Sequence, residues 1–393
     1  MAKALENVKI LDFTRMYSGP FCSFILKELG AEVIKVEIPG GGDAVRTLPP
    51  QTEGEEGYIF LILNRGKKSI TLNLDSEKGQ KICKRLVSKV DVVLENFSYG
   101  VMDRLGLGYN DLRKIKPDLI YASISGFGHT GPRRNMPAYD IIAQAMSGFM
   151  SVTGYRDGPP TKAGPAIADF TSSFYAAIAI LAALYHKKES SLGQKIDISM
   201  QDAMWAITAI QHLPGFALTG QVPERLGNGS VEVTPFNVYI AKDGYVVITI
   251  VTIGQWHQLL HVIGRDDLLN VKEYTNQLER IQHRQEIDVL VTEWTRTRTV
   301  QEIEAILGDN HLPCSPVLGL DKVVSDPQIL DRNMMIEIEQ MISGKIKVPG
   351  SVFKMTETPG DPTLTAPFLG QNNFEVFHDM LGMNDKEIEE LTT

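Results

Sequence analysis

Val8-Lys-Ile-Leu-Asp-Phe13, Phe21-Cys-Ser-Phe-Ile-Leu-Lys-Glu-Leu29 and Glu32-Val-Ile-Lys-Val-Glu37 together decide the fold. The first is a short apolar run with β-branched residues and reads as a buried strand. Ser18 and Pro20 open a helix through the second, and Gly30 follows it, where glycine commonly closes a helix. The third is another strand. A strand, a helix and a strand this close together make a βαβ unit, which implies parallel strands joined by a right-handed crossover. The intervening turn, Thr14-Arg-Met-Tyr-Ser-Gly-Pro20, has a single glycine where the nicotinamide-binding G-x-G-x-x-G pattern needs three. The topology is therefore Rossmann-like without the usual dinucleotide site.

The alternation continues downstream. Tyr58-Ile-Phe-Leu-Ile-Leu63 leads into Asn64-Arg-Gly-Lys-Lys-Ser69 and a strand over Ile70-Thr-Leu-Asn-Leu74. The Gly66-Lys67-Lys68 stretch is not a P-loop, because Lys68 stands where Ser or Thr is required and the upstream glycine is missing. Asp75 or Ser76 caps a helix to about Ser88. Strands follow at 91–95, 119–125 and 195–199, with helices at about 139–149 and 201–217. This pattern predicts an open, mostly parallel sheet, with ligands outside the carboxyl ends of its strands. Residues 15–18, 37–42, 96–100 and 126–131 then share one rim.

From about Arg225 the texture changes. Phe236–Ile240 and Tyr245–Ile250 flank Ala-Lys-Asp-Gly, a hairpin signal, and helices follow at about 253–264 and 284–294. The expected fold class is α/β: a Rossmann-like parallel-sheet large domain over 1–224, completed by 327–393, and a small α+β domain over 225–326. The tail carries a strand at 346–348 and a helix at 373–381 and returns to the first domain.

One carboxylate stands out. Ala163-Gly-Pro-Ala-Ile-Ala-Asp-Phe-Thr-Ser-Ser173 places Asp169 ahead of the apolar run Phe174–Tyr185, which reads as a buried helix of about three turns. Twelve residues are too few to span a bilayer. Asp169 is either an N-cap accepting from Thr171 or Ser172, or a partly desolvated nucleophile, and the local sequence favours the cap.

Composition narrows the function. The chain has 393 residues, 43% of them hydrophobic, and a formal net charge of −9. Without a basic stretch, this argues against nucleic acid and against a membrane surface as partners. Cys22, Cys83 and Cys314 form neither a disulfide framework nor a metal knuckle. Together with an N-terminus lacking a signal-peptide core, they predict a cytoplasmic protein. His257-Gln-Leu-Leu-His261 has Gln258 where a zinc-protease motif has glutamate, so no metal site is assigned.

Several blocks occur in a specific order. They are Asp12-Phe-Thr with Gly19-Pro20, Leu29-Gly-Ala-Glu-Val-Ile-Lys-Val-Glu37, Glu95-Asn-Phe with Gly100-Val-Met-Asp-Arg-Leu-Gly106, Ser125-Gly-Phe-Gly with Gly131-Pro132, Tyr139-Asp140, the Asp169 segment, and Gly193-Gln through Met200-Gln-Asp-Ala203. In this combination the chain resembles the family III CoA-transferases, of the formyl-CoA and carnitine CoA-transferase type, nearly end to end. The resemblance implies that Asp169 is the nucleophile, which reverses the local preference. It attacks an acyl-CoA thioester to give an acyl–aspartyl anhydride, then an aspartyl-CoA thioester, then a second anhydride with the acceptor acid. Coenzyme A and acyl-CoA are then substrates, small carboxylic acids are partners, and no cofactor is permanently bound.

The resemblance further implies CoA contacts from Arg15, Met16, Leu72, Asn96, Phe97, Val101, Arg104 and Tyr139. It places Tyr17 toward the acyl group and offers the loop Gly227-Asn228-Gly229 as oxyanion donors. It also implies an interlocked, ring-like homodimer. Arg104 suits a phosphate because a guanidinium binds two oxygens at once, although on its own it reads as an ion-pair partner of Asp103. Ile38 departs from the basic residue some members have after the second strand, which shifts that phosphate contact to Arg15 or Lys68. The related 2-methylacyl-CoA racemases share the fold and use a Gly-His-Asp triplet. This chain has Ala138-Tyr139-Asp140 there, and His129 reads as incidental, so transferase is favoured. A non-catalytic CoA-binding protein is the third reading, opposed by Asp169, Asn96 and Arg104.

Overall fold

The computed structural model describes residues 3–392. The chain divides into two compact units: one from the chain up to Phe149, Ala163–Leu218 and the chain from Pro327 on, the other from Met150–Lys162 and Thr219–Asp326.

In the first unit, β1 (Lys9–Asp12), α1 (Ser18–Glu28) and β2 (Glu32–Glu37) form the expected βαβ unit. Gly30 has φ 109° just past α1, as its closing position requires. Next come α2 (Tyr58–Leu63), β3 (Lys68–Thr71), α3 (Glu77–Val87, capped by the Ser76 hydroxyl), β4 (Val92–Glu95), α4 (Val101–Arg104), α5 (Tyr109–Ile115) and β5 (Ile120–Ser125). They are followed by α6 (Asp140–Met146), by α7 (Phe149–Val152), whose residues from Met150 on belong to the second unit, and by α8 (Ile167–Ser190), β6 (Lys195–Ser199) and α9 (Met200–Thr219). The strands make one parallel sheet in the order β3-β2-β1-β4-β5-β6, the doubly wound arrangement.

Strand period explains the unbroken apolar runs. In β1, Leu11 joins Ile34, Ile70 and Val93 in one cluster with Leu86 of α3 and Leu112 of α5. Its neighbour Ile10 joins Val33, Val92 and Ile120 in another with Leu26 of α1 and Ile180 of α8. Successive residues point to opposite faces and both faces are covered, so no polar alternation is left to see. Val376 and Phe377 complete the first cluster, so the tail returns to this unit. Burying a side chain such as Phe377 is worth roughly 2 kcal/mol. The backbone over Glu375–Met380 is a wide π-helical turn rather than the expected α-helix. The tail strand is β11 (Gly344–Pro349), paired antiparallel with β10 (Met335–Gln340).

The helix after Asp169 differs from expectation in length and start. α8 has 24 residues and is long and apolar enough to cross a membrane, by length and composition. Here it packs along α1 and β5. Its buried stripe is small, with Ala168, Ser172, Ala176 and Ala183, which allows close approach. It continues through the polar stretch because Lys187 pairs with Asp91 at 3.0 Å and with Asp118 at 2.8 Å. Ala166 is the N-cap residue and supplies no side-chain bond, so Asp169 lies inside the first turn and is not the cap.

In the second unit, β7 (Phe236–Ile240) and β8 (Tyr245–Thr249) form the expected hairpin, extended by β9 (Cys314–Pro316). The helices α10 (Ile253–Val262), α11 (Gln277–Gln282), α12 (Arg284–Thr295) and α13 (Val300–Asp309) complete it around buried Trp256, Leu259 and Val291. Residues 150–162 belong here and not to an uninterrupted 1–224 domain. The Arg225 guanidinium explains this, donating to the carbonyls of Tyr155, Arg156 and Gly158. His261 faces Asp266 at 3.3 Å at the surface.

Candidate active site

A cavity of about 430 Å³ opens at the carboxyl ends of the parallel strands, where the sheet predicts one. Three of the four expected rim loops line it, through residues 15–18, 96–99 and 125–127, together with Tyr139, Asp140 and Asp169.

The first rim loop is held from both sides. The Asn96 side chain pairs with the Arg15 backbone in both directions: Oδ1 accepts the Arg15 N–H at 2.9 Å and Nδ2 donates to the Arg15 carbonyl at 2.8 Å. Opposite, Asp43 Oδ1 accepts the Met16 N–H at 3.2 Å, and Asp43 Oδ2 accepts from Lys35 Nζ at 2.9 Å. Lys35 Nζ also donates to the Thr14 carbonyl at 2.7 Å. Both side chains of this ion pair are fully buried. Between the two grips Met16 takes φ 66°, left-handed backbone that costs a non-glycine residue on the order of 1 kcal/mol.

The Asp12-Phe-Thr block also has a supporting role. Asp12 is fully buried and accepts from Ser23 at 2.6 Å, from Thr14 at 2.5 Å and from Lys67 Nζ at 3.3 Å. Lys67, from the stretch that resembles a P-loop, is thus a core cation. Burial pulls its ammonium down to about 8 against the attraction of Asp12.

Asp169 faces the cavity from the first turn of α8. Burial pushes its carboxyl up to about 7, the neighbouring Asp140 charge pushes the same way, and a hydrogen bond from Ser18 opposes them. Asp140 is the cap that the helix itself lacks. Its Oδ1 accepts the N–H groups of Ala168 at 2.8 Å and Asp169 at 3.4 Å, and its Oδ2 accepts from Gln144 at 2.6 Å. No histidine lines the cavity among the described residues. His129 packs against Tyr99 with ring centroids 5.3 Å apart, and its Nε2 lies 3.9 Å from Glu95. A carboxylate in this setting is poorly solvated and therefore reactive as a nucleophile toward an acyl carbon.

Of the residues the resemblance singles out, Arg15, Met16, Tyr17, Asn96, Phe97, Tyr139 and Asp169 come together at the cavity. Leu72, Val101 and Arg104 do not line it. Leu72 is buried in the core at the end of β3, and its side chain is spent there. Val101 and Arg104 form α4, just past the 96–100 loop. Lys68 is tied to Glu32 at 2.7 Å and to Glu375 at 2.6 Å, which removes it as a substitute phosphate ligand. Gly227-Asn228-Gly229 belongs to the second unit, where the Gly227 N–H donates to Gly154 and the Gly229 N–H to Leu226. The Asn228 side chain donates to the Tyr155 hydroxyl at 3.0 Å.

Ser18 and Tyr99 fall on rim loops that the sequence marks, without a role assigned to them, whereas Arg134 and the capping role of Asp140 have no such mark. Arg15 stacks over Phe97 and Arg134 over Tyr99, each at 5.0 Å, so two guanidinium groups lie on alternate aromatic faces of one loop. Aromatic residues two apart in a rim loop, with arginines on other loops, are the only sequence signal for this.

Comparison with known proteins agrees with the site. The family description "CoA-transferase family III" matches residues 5–373. Succinyl-CoA:mesaconate CoA-transferase of Haloarcula marismortui is 37% identical over 96% of this chain and 96% of its own length. Formyl-CoA:oxalate CoA-transferase of Streptomyces avermitilis is 34% identical over 99% of this chain and 98% of its own. The crystal structure of a CAIB/BAIF family protein from Brucella suis superposes with a TM-score of 0.85 at 32% identity, covering 97% of this chain and 100% of that one. With a parallel sheet, a half-desolvated aspartate at its carboxyl rim and matches that run almost end to end, the chain belongs to CoA-transferase family III and is a transferase.

Proposed function

We propose that the protein moves CoA from an acyl-CoA to a free carboxylic acid, with Asp169 forming the anhydride and aspartyl-CoA thioester intermediates in turn. The observation that carries this is the Asp169 carboxyl facing the cavity from the first turn of α8, partly buried beside Asp140, with no histidine lining the cavity among the described residues. Dicarboxylic acids are the favoured acceptors. Mesaconate and oxalate in the relatives' names are both dicarboxylic, and Arg134 brings a guanidinium with no carboxylate partner among the described residues to the cavity. The acidic composition and free cysteines support a cytoplasmic location. Homodimer formation is supported by the outward faces of α8 and α9, where Ile178, Tyr185, Ile210 and Leu218 are all more than 60% exposed. Light scattering checks it, a monomer at micromolar concentration being the contrary result.

The test is an exchange assay followed by mass spectrometry. Wild type and Asp169→Ala receive a panel of acyl-CoAs with labelled free acids. CoA moves between acids in wild type only, and hydroxylamine captures an adduct at Asp169. Absence of exchange, with solvent deuterium entering the α-carbon of a 2-methylacyl-CoA, would replace this reading with a racemase.

A further inference from the structure

The transferase cycle places negative charge at two different carbons. When Asp169 attacks the substrate, the oxyanion forms on the acyl carbon. When the acceptor acid attacks the aspartyl-CoA thioester, the oxyanion forms on the side-chain carbon of Asp169 itself. The second position needs its own hydrogen-bond donor.

Ser18 stands at that position. It is the first residue of α1, is 4% exposed, and lines the cavity with Asp169. The Ser173 hydroxyl links the two backbones, its single proton shared between the Ser18 carbonyl at 2.5 Å and the Asp169 carbonyl at 2.7 Å. Asn96 Nδ2 donates to Ser18 Oγ at 3.3 Å. That bond occupies a lone pair of the hydroxyl and leaves its proton to point elsewhere, and donation into the oxygen strengthens the bond it makes. The Asp169 carboxyl lines the same cavity, where burial raises its pKa and the Ser18 side chain lowers it.

We propose that Ser18 is a catalytic residue, held by Asn96, whose hydroxyl stabilises the oxyanion that forms on the Asp169 side chain while the aspartyl-CoA thioester is broken. This rests on the CoA-transfer reading above. An oxygen of the acceptor carboxylate forms a bond to Cγ of Asp169, and the π pair of the Cγ=O bond moves onto Oδ. The Ser18 hydroxyl donates to that oxygen and keeps its proton. The pair then returns, the C–S bond breaks, and CoA leaves as thiolate, with an aspartyl–acyl anhydride remaining. In the free enzyme the same hydroxyl favours the ionised Asp169 that must make the first attack.

Ser18→Ala in the full-length protein tests the proposal, with Ser18→Cys alongside as a variant of similar volume and weaker donation. Loss of one oxyanion donor lowers kcat roughly 100-fold. The expected result is that drop with the KM for acyl-CoA changed less than about threefold, and, in single-turnover intact-protein mass spectra, slower loading of CoA onto Asp169 together with slower discharge of the loaded thioester by acceptor acid, because both steps pass through the same Asp169 oxyanion. Ser18→Cys shows the same slowing of both steps, so the test survives if the alanine variant does not fold. Wild-type kcat in either folded variant, or a loss that leaves loading and discharge at wild-type rates, overturns the proposal. Absence of CoA exchange in the wild type would instead sink the transferase reading, so the two failures are distinguishable.

Discussion

The Asp140 carboxylate accepts the backbone N–H groups of Ala168 and Asp169, at 2.8 Å and 3.4 Å, and so stands as a second negative charge beside the Asp169 carboxyl. One residue thereby fixes the start of α8 and raises the proton affinity of the residue three places into it. Stability of the helix and reactivity of the site are set by the same oxygen atoms.

The first consequence is a pH dependence. Attack requires the Asp169 carboxylate, so kcat/KM rises with pH and levels off above an apparent pKa of about 7. Asp140→Asn keeps an oxygen acceptor for the helix but removes the charge, and the rising limb moves to lower pH. An unmoved limb in the variant would remove Asp140 as a cause of the shift.

The second concerns stability. A carboxyl whose pKa is raised on folding binds its proton more tightly in the folded state, so it costs stability as pH climbs from about 4 to about 7. Asp169→Asn should therefore stabilise the fold at pH 8 by an amount on the order of 2 kcal/mol, seen as a higher Tm, and change it little at pH 4. Thermal unfolding at the two pH values decides this, and a variant less stable than wild type at pH 8 contradicts it.

A third follows from the buried pair under the first rim loop. Asp43→Ala leaves Lys35 buried without its partner and should cost about 3–5 kcal/mol, readable in urea unfolding. The Met16 N–H also loses its acceptor, so surviving enzyme binds CoA more weakly. A fully stable variant with an unchanged KM would show that the pair does not hold the loop.

A fourth separates the Asn96 amide from the Lys68 cation. Asn96→Ala removes both bonds to the Arg15 backbone and should raise the KM for CoA about tenfold, at roughly 1–1.5 kcal/mol for the lost bonds. Lys68→Ala should leave that KM within about twofold, because Lys68 is already paired with Glu32 and Glu375. Equal effects from the two variants would return Lys68 to the CoA site.

The fifth concerns Arg134. Arg134→Gln should raise the KM for a dicarboxylic acceptor by about tenfold and spare a monocarboxylic acceptor of equal length, the difference being one charge-assisted contact. A uniform loss across both acids, or a raised KM for CoA alone, would assign Arg134 to the nucleotide instead.

Local chemistry alone determined much of this protein. Two strands, at 32–37 and 195–199, are legible to the residue. In the first, Val33, Ile34 and Val36 form a buried β-branched run after Gly30, and in the second, which lies at the sheet edge, Ile196 is buried between exposed Lys195 and Asp197. The carboxyl-end rule then fixes which loops can meet a ligand, and an aspartate between a proline-rich approach and an apolar helix is conspicuous in any reading.

Tertiary structure decided what those residues do. The cap on α8 comes from Asp140, 28 residues before Ala168, so the helix starts at Ile167 and Asp169 is left facing the cavity. Asn96 reads as a ligand contact in the sequence, yet its amide is taken up by the Arg15 backbone 81 residues away and by the Ser18 hydroxyl. Lys68 reads as a spare phosphate ligand, yet Glu32 and Glu375 claim it. Partners so far apart along the chain leave no periodic trace in the sequence. Folding brings them within 3.5 Å, and only then does each donor or acceptor acquire a partner and lose its other options.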